Sequence, residues 1–395
     1  MKLILKLSFL FVAVLILSFC HEVRDKKTIK EMPLVSYKNN FQNRSAPVSP
    51  PPVTRERGNI TPEEREELRL QRARERETNL DWIKASVQKY SPGSWSMLME
   101  YDKLPESNEV STTDDGILTA EKAATTFHYL RGRSRIDLLA SMETNVHEIA
   151  HAYFDQNVYR YIAENKLKLN PDNAQGYIYI SPSKSFFISF PHRNMFPSGD
   201  LSADIPDKLR TYRFDTYILG NTSTQSDGVI GLLNELNAYY LGSEYCFSML
   251  GPYKEATGSD ADGLFEWVTH TQSTMSAFYE FDFFIKEYLL NMRRDHEADY
   301  EKLRSYNTFS EAYIVLCKLY ADLIERYQER INMEMKLLNS SGEAGAGIEK
   351  GWLWIKPGDS HISSGTPIFS KEKETLLPVL ESRRYREVEK DFPVK

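Results

Sequence analysis

The string His147-Glu148-Ile149-Ala150-His151 lies within a segment whose apolar residues recur at helical spacing. These apolar residues are Ile136, Leu139, Ala140, Val146, Ala150 and Phe154. The chain has no proline or glycine between Ser134 and Gln156, so nothing interrupts a helix there. The pattern predicts a helix over about residues 135–165.

On such a helix, residues four apart lie on one face, one turn above each other. The side chains of His147 and His151 can therefore reach a single metal ion, while the carboxylate of Glu148 stands beside the first imidazole and can polarise a water molecule. The alternative interpretation is an amphipathic helix on which the two histidines are ordinary surface or core residues.

The bulk composition limits the class of protein. The 395 residues are enough for one large or two ordinary domains, and 41% hydrophobic and 12% aromatic residues can form a sizeable core. The net charge of −7 and the isoelectric point of about 5.8 argue against nucleic acid as a partner. The oligomeric state does not follow from the sequence.

The N-terminus has the features of an export signal. Lys2 and Lys6 precede an apolar run from Leu7 to Phe19, which ends at Cys20. Residues 1–19 are predicted to be a signal peptide. Leu17-Ser18-Phe19-Cys20 resembles a bacterial lipobox, which implies that Cys20 carries a lipid anchor and that the protein lies in the periplasm or at the cell surface. The alternative is an ordinary signal peptide or an uncleaved anchor.

The rest of the chain is predicted to be mainly helical. Residues 20–60 form a proline-containing, disordered tether, and Thr61 caps a helix that begins with Pro62. The segment before the metal-motif helix is expected to hold turns with one strand over 91–118 and a short helix over Thr119–Tyr129. After it come a hairpin or edge strand over 176–190 with a turn at Pro182-Ser183 and a loop-rich region over 191–228. Helices are expected over Val229–Met249, Asp260–Leu303 (with a break near Arg293) and Ser310–Leu338.

The cysteines do not point to a disulfide scaffold. After Cys20, only Cys246 and Cys317 remain, and both lie in apolar helical contexts. Two buried thiols are the favoured interpretation over a disulfide, and the metal site is not built from thiolates.

A catalytic zinc site needs a further protein ligand, because such sites usually take three. Glu235 lies 84 residues after His151, within the apolar helix Leu233-Asn234-Glu235-Leu236-Asn237-Ala238-Tyr239-Tyr240, and a buried carboxylate needs a partner. Ala238 is small enough to allow close approach to the motif helix. Glu244 and His192 are reserve ligands, and the alternative for Glu235 is a helical acid paired with Arg or Lys.

An HExxH string followed much later by ExxA resembles the gluzincin branch of the zincin metallopeptidases. The resemblance covers mainly residues 135–165 and 229–242. It implies that His147, His151 and Glu235 bind Zn²⁺ and that Glu148 is the general base. The metzincin class is excluded, since Phe154 and Asn157 occupy the places of its glycine and third histidine. The expected fold is mainly α (α+β), a zincin-like catalytic domain over 61–338 with a small β element and long C-terminal helices, followed by a flexible tail over 339–395.

Supporting residues are less clearly indicated. Tyr240 and Tyr239 are the first candidates to stabilise an oxyanion, followed by Tyr217, Tyr212 and His192. Asn145 or Glu143 could orient a zinc-bound histidine, since they share its helix. His128 and His270 are expected to be packing or surface residues.

Together these observations predict an exported, lipid-anchored, zinc-dependent metallopeptidase that acts on a peptide or protein substrate. The alternative function is that of a surface interaction or adhesion lipoprotein on a zincin scaffold with weak or no catalysis. A third interpretation is metal-assisted hydrolysis of a non-peptide amide.

Overall fold

The computed structural model describes residues 61–220, 222–358, 363–369 and 371–392. The predicted signal peptide (1–19), the lipidation site Cys20 and the tether (20–60) lie outside these residues and stay predictions. The chain divides into two compact units, Met1–Gln71 and Arg72–Lys395. The described part of the first unit, residues 61–71, is the start of a helix.

The described residues are mainly helical with three small antiparallel sheets, which confirms the mainly α expectation. The helices are α1 (Pro62–Tyr90), α2 (Pro92–Lys103), α3 (Arg135–Glu164), α4 (Phe214–Tyr217), α5 (Gly228–Ser248), α6 (Leu250–Thr257), α7 (Asp260–Asp295), α8 (Glu297–Ser305), α9 (Asn307–Ser341), α10 (Lys371–Leu380) and α11 (Arg383–Asp391). The strands are β1 (Ser107–Ser111), β2 (Ile117–Glu121), β3 (Asn173–Ser181), β4 (Lys184–Pro191), β5 (Ala344–Glu349), β6 (Trp352–Pro357) and β7 (Ser364–Pro367).

Two helix starts show reciprocal capping, and the sequence predicted the first of them, at Thr61. Thr61 Oγ accepts a hydrogen bond from the Glu64 amide, and the Glu64 carboxylate accepts one from the Thr61 amide. Ser134 and Asp137 make the same reciprocal pair at the start of α3. Each pair satisfies two amide groups that the helix itself leaves without partners, so it fixes the first turn.

The core of the second unit is built on α7, whose central residues are almost all buried. Helix α5 packs against α7 on one side and against α3 on the other. Ala238, on α5, is fully buried. The Tyr245 hydroxyl donates a hydrogen bond to the Leu139 carbonyl, which ties α5 to α3. This contact helps to set the alignment of the two helices.

The β3–β4 hairpin turns at Pro182 and Ser183, as predicted. Strand β3 is held on α5 by one side chain, since Asn237 bonds both the amide and the carbonyl of Tyr179. The region between β4 and α5 is loop-rich as expected, with short 3₁₀ turns and the single-turn helix α4. Its last 3₁₀ turn, Ser223–Asp227, leads directly into α5.

Two predictions for the segment before α3 are wrong, those for residues 91–118 and for residues 119–129. Residues 119–129 do not form a helix, because Ile117–Glu121 pairs with β1 as strand β2 and turns follow it. The strand Ser107–Ser111 that this pairing requires lies within the predicted 91–118 segment. That segment also contains α2, which begins at Pro92. A proline in the first turn is compatible with a helix start as well as with a turn, so this signal was ambiguous.

The C-terminal segment differs most from expectation. The predicted flexible tail over 339–395 is wrong for its described residues, which form the three-stranded sheet β5–β6–β7 and helices α10 and α11. Leu353 and Tyr385 are buried in the main core. The sheet and the two helices of this segment pack on α7 and α9, which are distant in sequence, so no local pattern could reveal these contacts.

The long helices lie close to their predicted positions. The expected break near Arg293 occurs at His296, between α7 and α8, and the last long helix extends to Ser341. Cys246 and Cys317 are free thiols, as expected, although only Cys246 is buried and Cys317 is half-buried.

Among the described helices, none has the length and apolar character required to span a membrane.

Candidate metal centre

Helix α3 presents His147 and His151 toward the same point. Their Nε2 atoms lie 3.2 Å apart, and their ring planes are nearly perpendicular. His147 is buried and His151 is half-buried. This is the geometry that the four-residue spacing predicts for two imidazoles that face one ion.

Helix α5 brings Glu235 to these two rings. Its Oε2 atom lies 3.3 Å from His151 Nε2 and 3.7 Å from His147 Nε2, and its side chain is buried. The structure thus brings together the three residues that the resemblance pairs as ligands. Their convergence depends on the packing of α5 on α3, since no local spacing could produce it.

The three donor atoms fit a zinc ion. Two imidazole nitrogens and one carboxylate oxygen are a common zinc donor set, with each ligand about 2.1 Å from the ion. Tetrahedral donors at that distance lie about 3.4 Å from each other, close to the separations of 3.2, 3.3 and 3.7 Å. Glu235 Oε2 is also buried without a hydrogen-bond partner, which a cation would provide.

Two further side chains orient these donors. His151 Nδ1 lies 3.1 Å from the Asn234 side-chain oxygen, which can only accept, so Nδ1 keeps a proton and Nε2 is the nitrogen that would lose its proton to a metal. Thr224 donates a hydrogen bond of 3.1 Å to Glu235 Oε1, which turns Oε2 toward the histidines. Neither residue is predicted by the motifs in the sequence. Asn234 could have been suspected from its place beside Glu235, whereas Thr224 carries no local signal.

Thr224 can approach Glu235 because Gly231 lies under the 3₁₀ turn. A Cβ atom at Gly231 would stand 1.9 Å from the Thr224 carbonyl oxygen, a distance that no side chain tolerates. The absence of a side chain at this helical position therefore allows the turn to pack directly on α5.

The charges of the three residues are strongly coupled. Burial, together with the nearby His151, lowers the pKa of His147 to about 3, against the pull of Glu235. Burial also lowers the pKa of His151, but the Glu235 carboxylate more than offsets this and raises it to about 9. His151 in turn holds the pKa of Glu235 below its ordinary value despite burial. Without a metal, the site is therefore an ion pair beside a neutral imidazole.

Glu148 lies half-buried on the same turn of α3. Burial raises the pKa of its carboxyl group, and the charges of His151 and Glu235 act on it in opposite directions. This electrostatic coupling indicates that the carboxylate is close to the centre.

A pair of tyrosines closes one side of the centre. The Tyr239 ring, one turn after Glu235, stands edge-on to the His147 ring at a centroid distance of 4.4 Å. Its hydroxyl lies 3.0 Å from the Tyr217 hydroxyl. The Arg213 guanidinium lies 4.5 Å from the Tyr239 ring centre and is held by a buried ion pair of 2.6 Å with Glu280. The two hydroxyls share one hydrogen bond, so one of their two protons remains available to another acceptor.

Several other candidates lie elsewhere. Tyr240 faces the Tyr320 ring and Glu244, whereas Tyr239 is the tyrosine that contacts the His147 ring. Tyr212 is 74% exposed. The reserve ligands are not in the cluster, since Glu244 pairs with Arg326 and His192 with Asp227.

The two predicted orienting residues on α3 have other contacts. Asn145 is fully buried and bonds the Thr126 carbonyl and the Tyr129 amide, so it holds the loop before α3 and does not orient a histidine. Glu143 contacts Thr144 and the backbone region around Gly242. His128 is exposed against Tyr129, and His270 stacks on Tyr253, outside the cluster.

No protein-family model, curated protein or solved structure matches this chain.

Proposed function

We propose that the protein is a zinc-dependent hydrolase that cleaves peptide bonds. The observation that carries the proposal is the convergence of His147 Nε2, His151 Nε2 and Glu235 Oε2 within 3.7 Å, with Glu148 on the same helical turn as the first histidine. The likeness of HExxH and ExxA to the gluzincin pattern supports a peptide as substrate.

The three convergent residues would hold the ion, and a zinc ion bound there supplies a Lewis acid that polarises a carbonyl group and makes water nucleophilic near neutral pH. The hydrogen bonds from His151 Nδ1 to Asn234 and from Thr224 to Glu235 hold two of the donors in position before the ion arrives. Such preorganisation reduces the cost of ordering the site on binding.

Glu148 would act as the general base. Its carboxylate takes a proton from the attacking water and then passes that proton to the nitrogen of the leaving amine. Because Glu148 follows His147 directly and lies half-buried next to the cluster, it requires no large movement for this role.

The Tyr239–Tyr217 pair would stabilise the oxyanion that forms at the carbonyl carbon. The spare hydroxyl proton of this pair is the donor, and the buried Arg213 next to Tyr239 favours negative charge in this region. Of the two tyrosines that the sequence offered for this role, Tyr239 is the one that contacts the His147 ring.

A peptide library digested with the full-length chain tests this function, with cleavage followed by mass spectrometry. The wild type is expected to cleave, and Glu148→Gln is expected to keep its zinc and lose activity by about 100-fold or more. Glu164→Gln makes the same chemical change at an exposed position of α3 and should leave cleavage unchanged. A zinc-loaded wild type that cleaves no peptide, or full activity in Glu148→Gln, would contradict the proposal and favour an interaction protein on the same scaffold.

A further inference from the structure

The small C-terminal sheet presents two tryptophans to solvent. Trp352 is 52% exposed and Trp354 37%, whereas Trp267 is fully buried. Side chains alternate between the two faces of a strand, so Trp352 and Trp354 share the outer face of β6, while Leu353 and Ile355 point inward and are buried. Exposing two neighbouring indoles to water costs free energy. An exposed apolar patch of this kind often marks a binding site.

The sheet that carries them is firmly mounted on the second unit. Leu353 and Ile355 join the main core, and the inward-facing Thr366 accepts a hydrogen bond from Thr269 of α7. Between β5 and β6, Lys350 and Gly351 both have positive φ, which is the two-residue hairpin turn that matches the twist of the strands. The outer face is therefore a fixed surface on a folded body.

The neighbouring strands carry glycines opposite Trp354, and the absence of side chains there leaves room for the indole rings to pack against the sheet. Trp354 stands opposite Gly347 of β5 and Gly365 of β7. A Cβ at Gly347 would lie 2.5, 2.7 and 2.9 Å from three atoms of the Trp354 ring, so this ring covers the glycine directly. The Trp352 ring reaches the other way, with its nearest atom 3.7 Å from a Cβ position at Gly365. We name these two rings and their glycine floor the indole platform.

We propose that the indole platform binds a neutral polysaccharide of β-linked pyranose units. The axial C–H groups on a pyranose ring carry partial positive charge and stack on the electron-rich face of an indole that lies parallel to them. The sugar hydroxyls project sideways, where the outer face offers the exposed Glu349 and Lys356 on either side of the tryptophans. An acceptor and a donor of opposite charge suit an uncharged ligand that carries hydroxyl groups.

The size and charge of the platform argue against other occupants. The exposed part of the two rings is about 200 Å², so a protein partner with the ~800 Å² per side of a stable interface would have to cover much more than the platform. A membrane contact of this kind typically needs several clustered basic residues, whereas the outer face of the sheet pairs one lysine with one glutamate. The Trp354 ring covers Gly347 and so projects little toward a lipid layer.

Co-sedimentation of the full-length chain with insoluble chitin and with cellulose tests the platform, with soluble chitohexaose and cellohexaose as competitors. The wild type is expected to bind at least one of the two polysaccharides, and the hexamer of the same sugar should displace it. The double variant Trp352→Ala/Trp354→Ala should bind about tenfold more weakly or worse. Tyr212→Ala removes an aromatic ring that is more exposed still, from another surface, and should leave binding unchanged.

A second variant separates stacking from folding. Trp352→Tyr/Trp354→Tyr keeps two aromatic faces and should retain part of the binding, with an unfolding midpoint equal to that of the wild type. Failure of the wild type to bind either polysaccharide overturns the proposal, as does unchanged binding by the double alanine variant. Tryptophan-dependent binding to vesicles of phosphatidylcholine and phosphatidylglycerol, without binding to the sugars, would instead assign the platform to a membrane.

Discussion

The Oε2 atom of Glu235 lies 3.3 Å from the Nε2 atom of His151, although 84 residues separate the two in sequence. Two contacts away from the centre hold α5 in place, the first on α3 and the second on β3. Tyr245 bonds the Leu139 carbonyl of α3, and Asn237 bonds both backbone groups of Tyr179 in β3. The position of Glu235, the third metal-binding residue, is therefore set by how α5 packs in the core.

Loss of the Glu235 carboxylate should abolish tight zinc binding. The purified wild type is expected to contain about one zinc ion per chain, and Glu235→Ala should contain little, since two imidazoles alone leave the ion with one protein ligand fewer. Glu244→Ala is the matched control, because it removes an acid from the same helix that pairs with Arg326 outside the cluster. Equal zinc content in both variants, measured by atomic emission, would move the third ligand elsewhere.

Asn234 should act through His151. Asn234→Ala removes the acceptor for Nδ1–H and is expected to weaken zinc affinity about 10–100-fold, because the ring is no longer held in its metal-binding orientation. Asn234→Asp keeps an acceptor and should restore most of the affinity. Competition with a fluorescent zinc chelator measures both values. If the alanine and aspartate variants lose affinity equally, the hydrogen bond has no orienting role.

Gly231→Ala should disturb both folding and the centre. The new Cβ would stand 1.9 Å from the Thr224 carbonyl oxygen, so the 3₁₀ turn must move away from α5. We expect a loss of about 1–3 kcal/mol in the free energy of unfolding and weaker zinc binding, since Thr224 then releases Glu235 Oε1. Gly93→Ala is the control, because its nearest neighbour lies 4.0 Å away. Urea unfolding of Gly93→Ala should show unchanged or slightly higher stability.

Two adjacent tyrosines should behave differently on loss of the hydroxyl. Tyr239→Phe removes a hydroxyl from the pair beside His147, and kcat is expected to fall about 100-fold with zinc content unchanged. Tyr240→Phe makes the same change one residue later, on the side of α5 that faces Tyr320, and should keep kcat within about threefold. This comparison applies once a cleaved peptide is known. Similar kcat values for both variants would exclude Tyr239 from the reaction.

Local patterns predicted the elements well where the signal was strong and continuous. Helix α3, the cap at Thr61 and the hairpin turn at Pro182-Ser183 follow from spacing and from turn chemistry between neighbours in sequence. Prediction failed over Thr119–Tyr129, because strand β2 exists only through pairing with β1. It failed again over the described part of 339–395, where two small helices and a short sheet gain their stability from contacts with α7 and α9.

The sequence by itself determined which functional groups are available. These are the imidazoles of His147 and His151 and the carboxylate of Glu148 on one helix, and the acid Glu235 in a distant apolar helix. Only the tertiary structure decided which distant groups meet that face. It selected Glu235 over Glu244, placed Tyr239 rather than Tyr240 beside His147, and added Thr224 and Asn234. The physical reason is that helical spacing acts over one or two turns, whereas the approach of α5 to α3 depends on the packing of the entire core.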